Sequence, residues 1–308
     1  MIYGFIGLGT LIALYFIFSF VCYYIIFYSP KKGQSDLDNI PPGEQFDERR
    51  EEILKLCYEL NDIKYEEVTT ISYDKKKLVG KYYHMSDDNI VYIFFHGYRG
   101  MGIRDFGGGA KERIKEGKNV IIVDERAHGK SEGHTITFGI KERYDCVSWV
   151  DYCISRFGKD VKIILTGISM GAATVLYSSA LDLPRNVVGI IADCPFTSPK
   201  EIITKVMKED MHLPKFIYFF VKSGAMIFGN FNPDLSLEEE IKKNKTKILI
   251  IHGEDDRLVP CDMSKRLAKE NSLVHLETVP KAGHGLSYLV DKESYLKYLT
   301  EFAKQLDL

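Results

Sequence analysis

The segment Thr166-Gly-Ile-Ser-Met-Gly171 constrains the fold of this chain more than any other. It follows an apolar run at 161–165 and precedes a run of small, helix-compatible residues at 172–180. A buried strand, a glycine-flanked turn and a helix in that order require the chain to reverse sharply. Such a reversal strains the central residue and crowds its neighbours. Only residues without bulk fit at Gly167 and Gly171, and Ser169 is left at the tip with its hydroxyl exposed.

A serine hydroxyl is a poor nucleophile until a base takes its proton, and a carboxylate usually orients that base. The chain has 8 histidines. The last, His284, sits in Val279-Pro-Lys-Ala-Gly-His-Gly285, where two glycines suit a tight loop that can carry an imidazole over the turn. Acids gather in Ile248-Leu-Ile-Ile-His-Gly-Glu-Asp-Asp-Arg-Leu-Val-Pro260, where a buried-type strand ends in a glycine turn. From the residues alone Asp255 and Asp256 are both open as the partner of His284.

With these motifs in place, the chain from about residue 68 to 308 resembles the α/β-hydrolase superfamily of serine esterases, lipases and peptidases. Phe95-His-Gly-Tyr-Arg-Gly100 resembles its oxyanion loop, and Asp124-Glu-Arg-Ala-His-Gly-Lys-Ser-Glu-Gly133 the loop after its fourth strand. The Ser169 turn and the pair His252-Gly-x-x-Asp256-x-x-Val259-Pro260 and Gly283-His284-Gly285 complete the pattern. The order serine, acid, histidine is that of this superfamily and not of chymotrypsin or subtilisin. The resemblance implies Ser169 as nucleophile, His284 as base and Asp256 as the acid, which family members carry three residues before Val-Pro. Asp193, at the end of an earlier strand, occupies the position that some members use instead, and Asp255 reads as a turn residue. The backbone N–H groups of Tyr98 and Met170 are implied as the oxyanion hole, and His96, Arg126 and His128 as loop scaffolding.

The rest of the domain fits that outline. Strand patterns at 68–73 and 78–84 read as an opening hairpin. Those at 90–95, 119–124, 161–165, 187–193, 247–252 and 274–279 alternate with helical stretches, which gives a mostly parallel central sheet flanked by helices. In the superfamily an insertion at about 197–245 is the usual helical lid. Here it carries Phe216, Phe219, Phe220, Met226 and Phe228, which are expected to line an acyl pocket or, alternatively, to bury the lid on the core.

Residues 2–28 lack any charged side chain, whereas about 20 apolar residues suffice to cross a bilayer. The run has no charged flank before it and no Ala-x-Ala site after it, so it reads as an uncleaved single-span anchor over 1–29. Residues 30–45, with Pro41-Pro42, read as a linker, and 46–308 as a hydrolase domain whose own core lets it fold without the anchor. Lys31 and Lys32 follow the span and no basic residue precedes it, which favours a cytoplasmic catalytic domain. Six cysteines in no disulfide-like pattern agree.

No His-Glu-x-x-His, paired Cys-x-x-Cys or calcium-loop pattern points to a metal, and no cofactor is implied. A net charge of −2 with dispersed lysines argues against nucleic acid. The implied activity is a membrane-anchored serine hydrolase of carboxylic esters, its substrate a small or lipid-like acyl ester. Thioesterase or protein deacylase, monoacylglycerol lipase and peptidase share the same triad, and a non-catalytic binding protein on the same fold is the alternative of another class.

Overall fold

The computed structural model describes residues 2–30 and 36–308. Its centre is an eight-stranded sheet: β1 (Glu66–Ile71), β2 (Lys77–Tyr83), β3 (Ile90–Phe95), β4 (Asn119–Asp124), β5 (Lys162–Ile168), β6 (Val187–Asp193), β7 (Ile248–Gly253) and β8 (Val274–Val279). The strand order is β1-β2-β4-β3-β5-β6-β7-β8. The pairs β1–β2 and β2–β4 are antiparallel and all others parallel. Each strand anticipated from the apolar runs is present.

Alternate residues of the strands feed two separate cores, as a period of two requires. Ile93, Phe95, Ile121, Val123, Ile163 and Leu165 face one way, packed with Trp149 and Val175 from the helices Glu142–Phe157 and Met170–Ser178. Tyr92, Phe94, Val120, Ile122 and Ile164 face the other, against Ile114 of the helix Gly109–Lys115 and Leu299 of the helix Lys292–Gln305.

The N-terminal helix Ile2–Ile26 is apolar on all sides and exposed over most of its length. Phe5–Ile26 is long and apolar enough to cross a membrane. Its end, however, is not a free tether. Cys22, Tyr23 and Phe27 are buried in the first core, Phe27 at 0% exposure. The backbone of Phe27 accepts from Ile136 N at 2.8 Å, and Ser29 N donates to His134 O at 2.8 Å. The expected separation of anchor and domain therefore does not match the packing, because aromatic residues at the helix end complete the core.

Of the expected linker, 31–35 lie outside the described residues. The remainder folds back on the domain. Ile40, Ile53, Cys57 and Leu286 form a small third cluster, through which the helices Glu44–Asp47 and Arg50–Asn61 sit on the sheet's second side.

Candidate active site

The turn after β5 shows why its sequence is so restricted. Ser169 has φ 54° and ψ −113°, left-handed backbone that a non-glycine residue adopts at a cost of about 1–3 kcal/mol. A Cβ on Gly171 would lie 1.8 Å from Phe95 O, and one on Gly167 2.2 Å from Gly171 O. Any larger residue would push the turn off β3, so the backbone hydrogen bond from Ser169 N to Asp193 O, 2.8 Å, depends on both glycines.

Loops after β7 and β8 bring the other two residues to this tip. His284 Nε2 lies 2.9 Å from Ser169 Oγ, and His284 Nδ1 lies 2.7 Å from Asp256 Oδ2. An Nδ1–H donated to the carboxylate leaves Nε2 to accept from the serine hydroxyl. Asp256 is fixed in turn: its Oδ1 accepts from Leu258 N at 2.9 Å and Val259 N at 2.8 Å. Burial alone would raise the carboxyl's pKa, but the facing His284 and His252 outweigh it and hold the group well below the ordinary carboxylate range.

His252 is a neighbour that the motif reading did not single out. It is fully buried, its Nε2 lies 3.2 Å from Asp256 Oδ2 and 2.9 Å from Val259 O, and its Nδ1 lies 2.6 Å from Ser264 Oγ. The signal was available in the His-Gly-x-x-Asp spacing, which puts it four residues before the acid. Asp255 is exposed. The Asp193 carboxyl makes no hydrogen bond to His284 and faces a cavity instead.

The loop after β3 lies alongside. A Cβ on Gly97 would approach the Ser169 Cβ to 3.5 Å, and Gly97 N donates to Asp105 Oδ2 at 2.8 Å. His96 and His128 brace this loop: Glu125 N donates to His96 Nε2 at 3.1 Å, and Arg99 N to His128 Nε2 at 3.0 Å. Arg126 is buried and bonded to Asp145 and Asp74. Tyr98 follows Gly97, and Met170 opens the helix Met170–Ser178 directly after Ser169. The loop also grips the end of the N-terminal helix. Tyr98 donates its hydroxyl to Ile26 O at 2.7 Å, and Arg99 Nη2 donates to Ile25 O at 2.7 Å and Tyr28 O at 3.2 Å.

Ser169 and His284 open onto a cavity of about 380 Å³ on the second side of the sheet. Pro41, Pro42, Phe46, Ile53 and Leu56 also line it, a role that the sequence reading gave to none of them. The five aromatic and Met positions expected there are elsewhere: Phe216, Phe219, Phe220, Met226 and Phe228 do not line it. The helix Ile217–Ile227 lies along the N-terminal helix instead, with Phe220 4.8 Å from Phe18, Phe219 5.8 Å from Tyr15 and Phe228 5.2 Å from Phe20, ring centre to ring centre. Gly224 makes the approach possible, since a Cβ there would meet Ser19 O at 2.3 Å. Phe216 and Met226 remain largely exposed.

Among the described residues, Cys194, Asp256 and His284 offer ligand atoms within 4.8 Å of one another. Asp256 and His284 are already committed to each other by a hydrogen bond, which leaves the set poorly suited to a metal.

The sheet, its turns and this site define an α/β-hydrolase. Residues 88–242 match the family described as serine aminopeptidase, S33, and the chain belongs to that family. It is 29% identical over 192 residues to the uncharacterized protein YqkD of Bacillus subtilis, covering 60% of this chain and 62% of that one. It is 27% identical over 158 residues to the lysophosphatidylserine lipase ABHD12 of Gallus gallus, covering 49% and 39%. The chain thus spans less than two-thirds of the length of these curated relatives. Among solved structures, the Pyrococcus furiosus esterase Pf2001 superposes with a TM-score of 0.66 at 25% identity, covering 80% of this chain and 94% of that one.

Proposed function

We propose that this hydrolase is a membrane-anchored serine esterase that cleaves carboxylic esters through an acyl-enzyme on Ser169. The observation that carries the reading is the hydrogen-bonded line Ser169–His284–Asp256 at the mouth of a mainly apolar cavity. Ser169 Oγ attacks the acyl carbonyl as His284 Nε2 takes its proton. Asp256 holds the ring in the required tautomer and stabilises the imidazolium that forms. The backbone N–H groups of Met170, at a helix start, and Tyr98 receive the developing oxyanion. His284 then returns its proton to the leaving alcohol, and water, activated by the same ring, releases the acid.

The apolar wall formed by Phe46, Ile53 and Leu56 favours an acyl or alkyl chain over a peptide. The N-terminal helix supports a single span with the catalytic domain on the side of Lys31 and Lys32. Labelling of the detergent-solubilised full chain with a fluorophosphonate, followed by turnover of a p-nitrophenyl ester series, tests the proposal. Wild-type protein is expected to label and turn over, and Ser169→Ala to do neither. Equal labelling of Ser169→Ala would refute it.

A further inference from the structure

One part of the cavity lining differs from the rest. Thr166, Asp193 and Arg113 form it and are each more than nine-tenths buried, at 7%, 6% and 5% exposure. Thr166 Oγ1, Asp193 Oδ1 and Arg113 Nε have no hydrogen-bond partner in the protein. Their positions follow from the fold. Thr166 lies on β5 three residues before Ser169, on the same sheet face as Ile164 and Ile168, about 10 Å along the strand. Asp193 ends the adjacent strand, paired with Ile168 beside the Ser169 turn, and its carboxyl interacts with the Tyr295 hydroxyl while Oδ1 stays unpaired. Arg113 comes from the helix Gly109–Lys115 and is tied by Nη2 to Glu116 at 2.7 Å.

A buried polar atom left unpaired costs about 1–3 kcal/mol, so three lining one cavity call for an occupant that bonds them. Their chemistry defines it: a carboxylate oxygen accepts, a guanidinium N–H donates, and a hydroxyl does both. A group with one donor and one acceptor site fits this set, whereas an alkyl terminus leaves all three unpaired. The same cavity is also lined by Phe94, Phe106, Ile168, Leu286 and Leu289, which suit a hydrocarbon stretch.

Resting on the esterase reading, we propose that Thr166, Asp193 and Arg113 form a specificity subsite for a hydroxyl group carried at the end of the substrate chain that enters the cavity. The chain is apolar where it passes Phe94 and Phe106 and polar where it ends. Specificity here works by leaving the wrong substrate's site atoms unpaired, which discriminates more sharply than one extra methylene does.

The test compares kcat/KM for p-nitrophenyl esters from butanoate to dodecanoate with and without a terminal hydroxyl. A second arm, terminal-hydroxyalkyl acetates against plain alkyl acetates, tells whether the chain in the cavity is the acyl or the alcohol part. In the arm that fits, the hydroxylated substrate is expected to lead by at least tenfold at one chain length and not at the others. Thr166→Val, which keeps the shape and removes the hydroxyl, should lower kcat/KM for that substrate about tenfold and raise it for the plain chain. Asp193→Asn should reduce the preference as well. Plain esters turned over with no advantage from a hydroxyl in either arm would mean that the three atoms hold only water, and would overturn the subsite. No turnover of any ester, with no fluorophosphonate label, would instead overturn the esterase reading on which it rests.

Discussion

Two segments flank the site, and they have exchanged the roles that their sequences suggest. The insertion at 197–245 is rich in aromatic residues, yet its helix Ile217–Ile227 spends them on the N-terminal helix. The segment at 36–61 is charged and carries a diproline at 41–42, yet it supplies part of the wall of the cavity. The difference shows that apolar content does not decide what lines a pocket. A long uncharged helix presents far more apolar surface than any ligand, and the aromatic face nearest to it is taken up there.

The largest effect expected from this arrangement is on folding. Deleting residues 1–35 removes Phe27, Tyr23 and Cys22 from the core, and each large side chain lost forfeits about 1.5–3 kcal/mol. Against a total stability of about 5–15 kcal/mol, the truncated chain should lose its cooperative melt. A truncated protein that melts like the full chain in detergent would restore the picture of a separable anchor.

The next effect concerns the site between the two segments. Ser169→Ala should lower kcat by roughly four to six orders of magnitude, and Asp256→Asn by roughly four, since the amide misorients His284. Asp193→Asn should cost far less on plain esters. If Asp193→Asn proved the more damaging, Asp256 would not be the residue that orients the base.

A smaller effect separates the segments directly. Leu56→Trp should shorten the longest acyl chain accepted, with about fourfold lost per methylene excluded. Phe219→Ala and Phe220→Ala should leave the chain-length profile unchanged. A profile that flattens in the phenylalanine variants and not in Leu56→Trp would reverse the assignment of the two segments.

The smallest effect is a pH dependence of stability. Burial raises the Asp193 carboxyl to about 6, so the folded protein retains a proton that the unfolded chain has released. Its contribution is therefore present at low pH and is lost as pH rises from about 4 to 6. The melting temperature of Asp193→Asn relative to wild type should climb through that window and level off above it. A constant difference would mean that the carboxyl titrates normally.

The sheet was legible because period-two apolar runs have few alternative uses. The Ser169 turn was legible because its glycines face contacts under 2.5 Å that no other residue survives. The loops of Asp256 and His284 could be read because short glycine-bounded segments leave little freedom. The cavity wall was not legible. Whether Phe46 or Phe219 meets the substrate depends on how two helices distant in sequence dock, and both sit in equally plausible apolar patterns. The burial of Phe27 was hidden for the same reason, since a uniformly apolar run does not mark where an exposed surface gives way to a buried one.

The grip of Tyr98 and Arg99 on the N-terminal helix has a consequence for sequence drift. Their partners are the carbonyls of Ile25, Ile26 and Tyr28, which every amino acid supplies alike. Exchanging the side chains at 25 and 26 leaves those acceptors in place, so the helix end is free to vary in composition while the loop beside Ser169 stays held. A change of length is another matter. One residue inserted in the last turn rotates the carbonyls by about 100°, away from both donors. The helix is thus read by its count of residues more than by their identity.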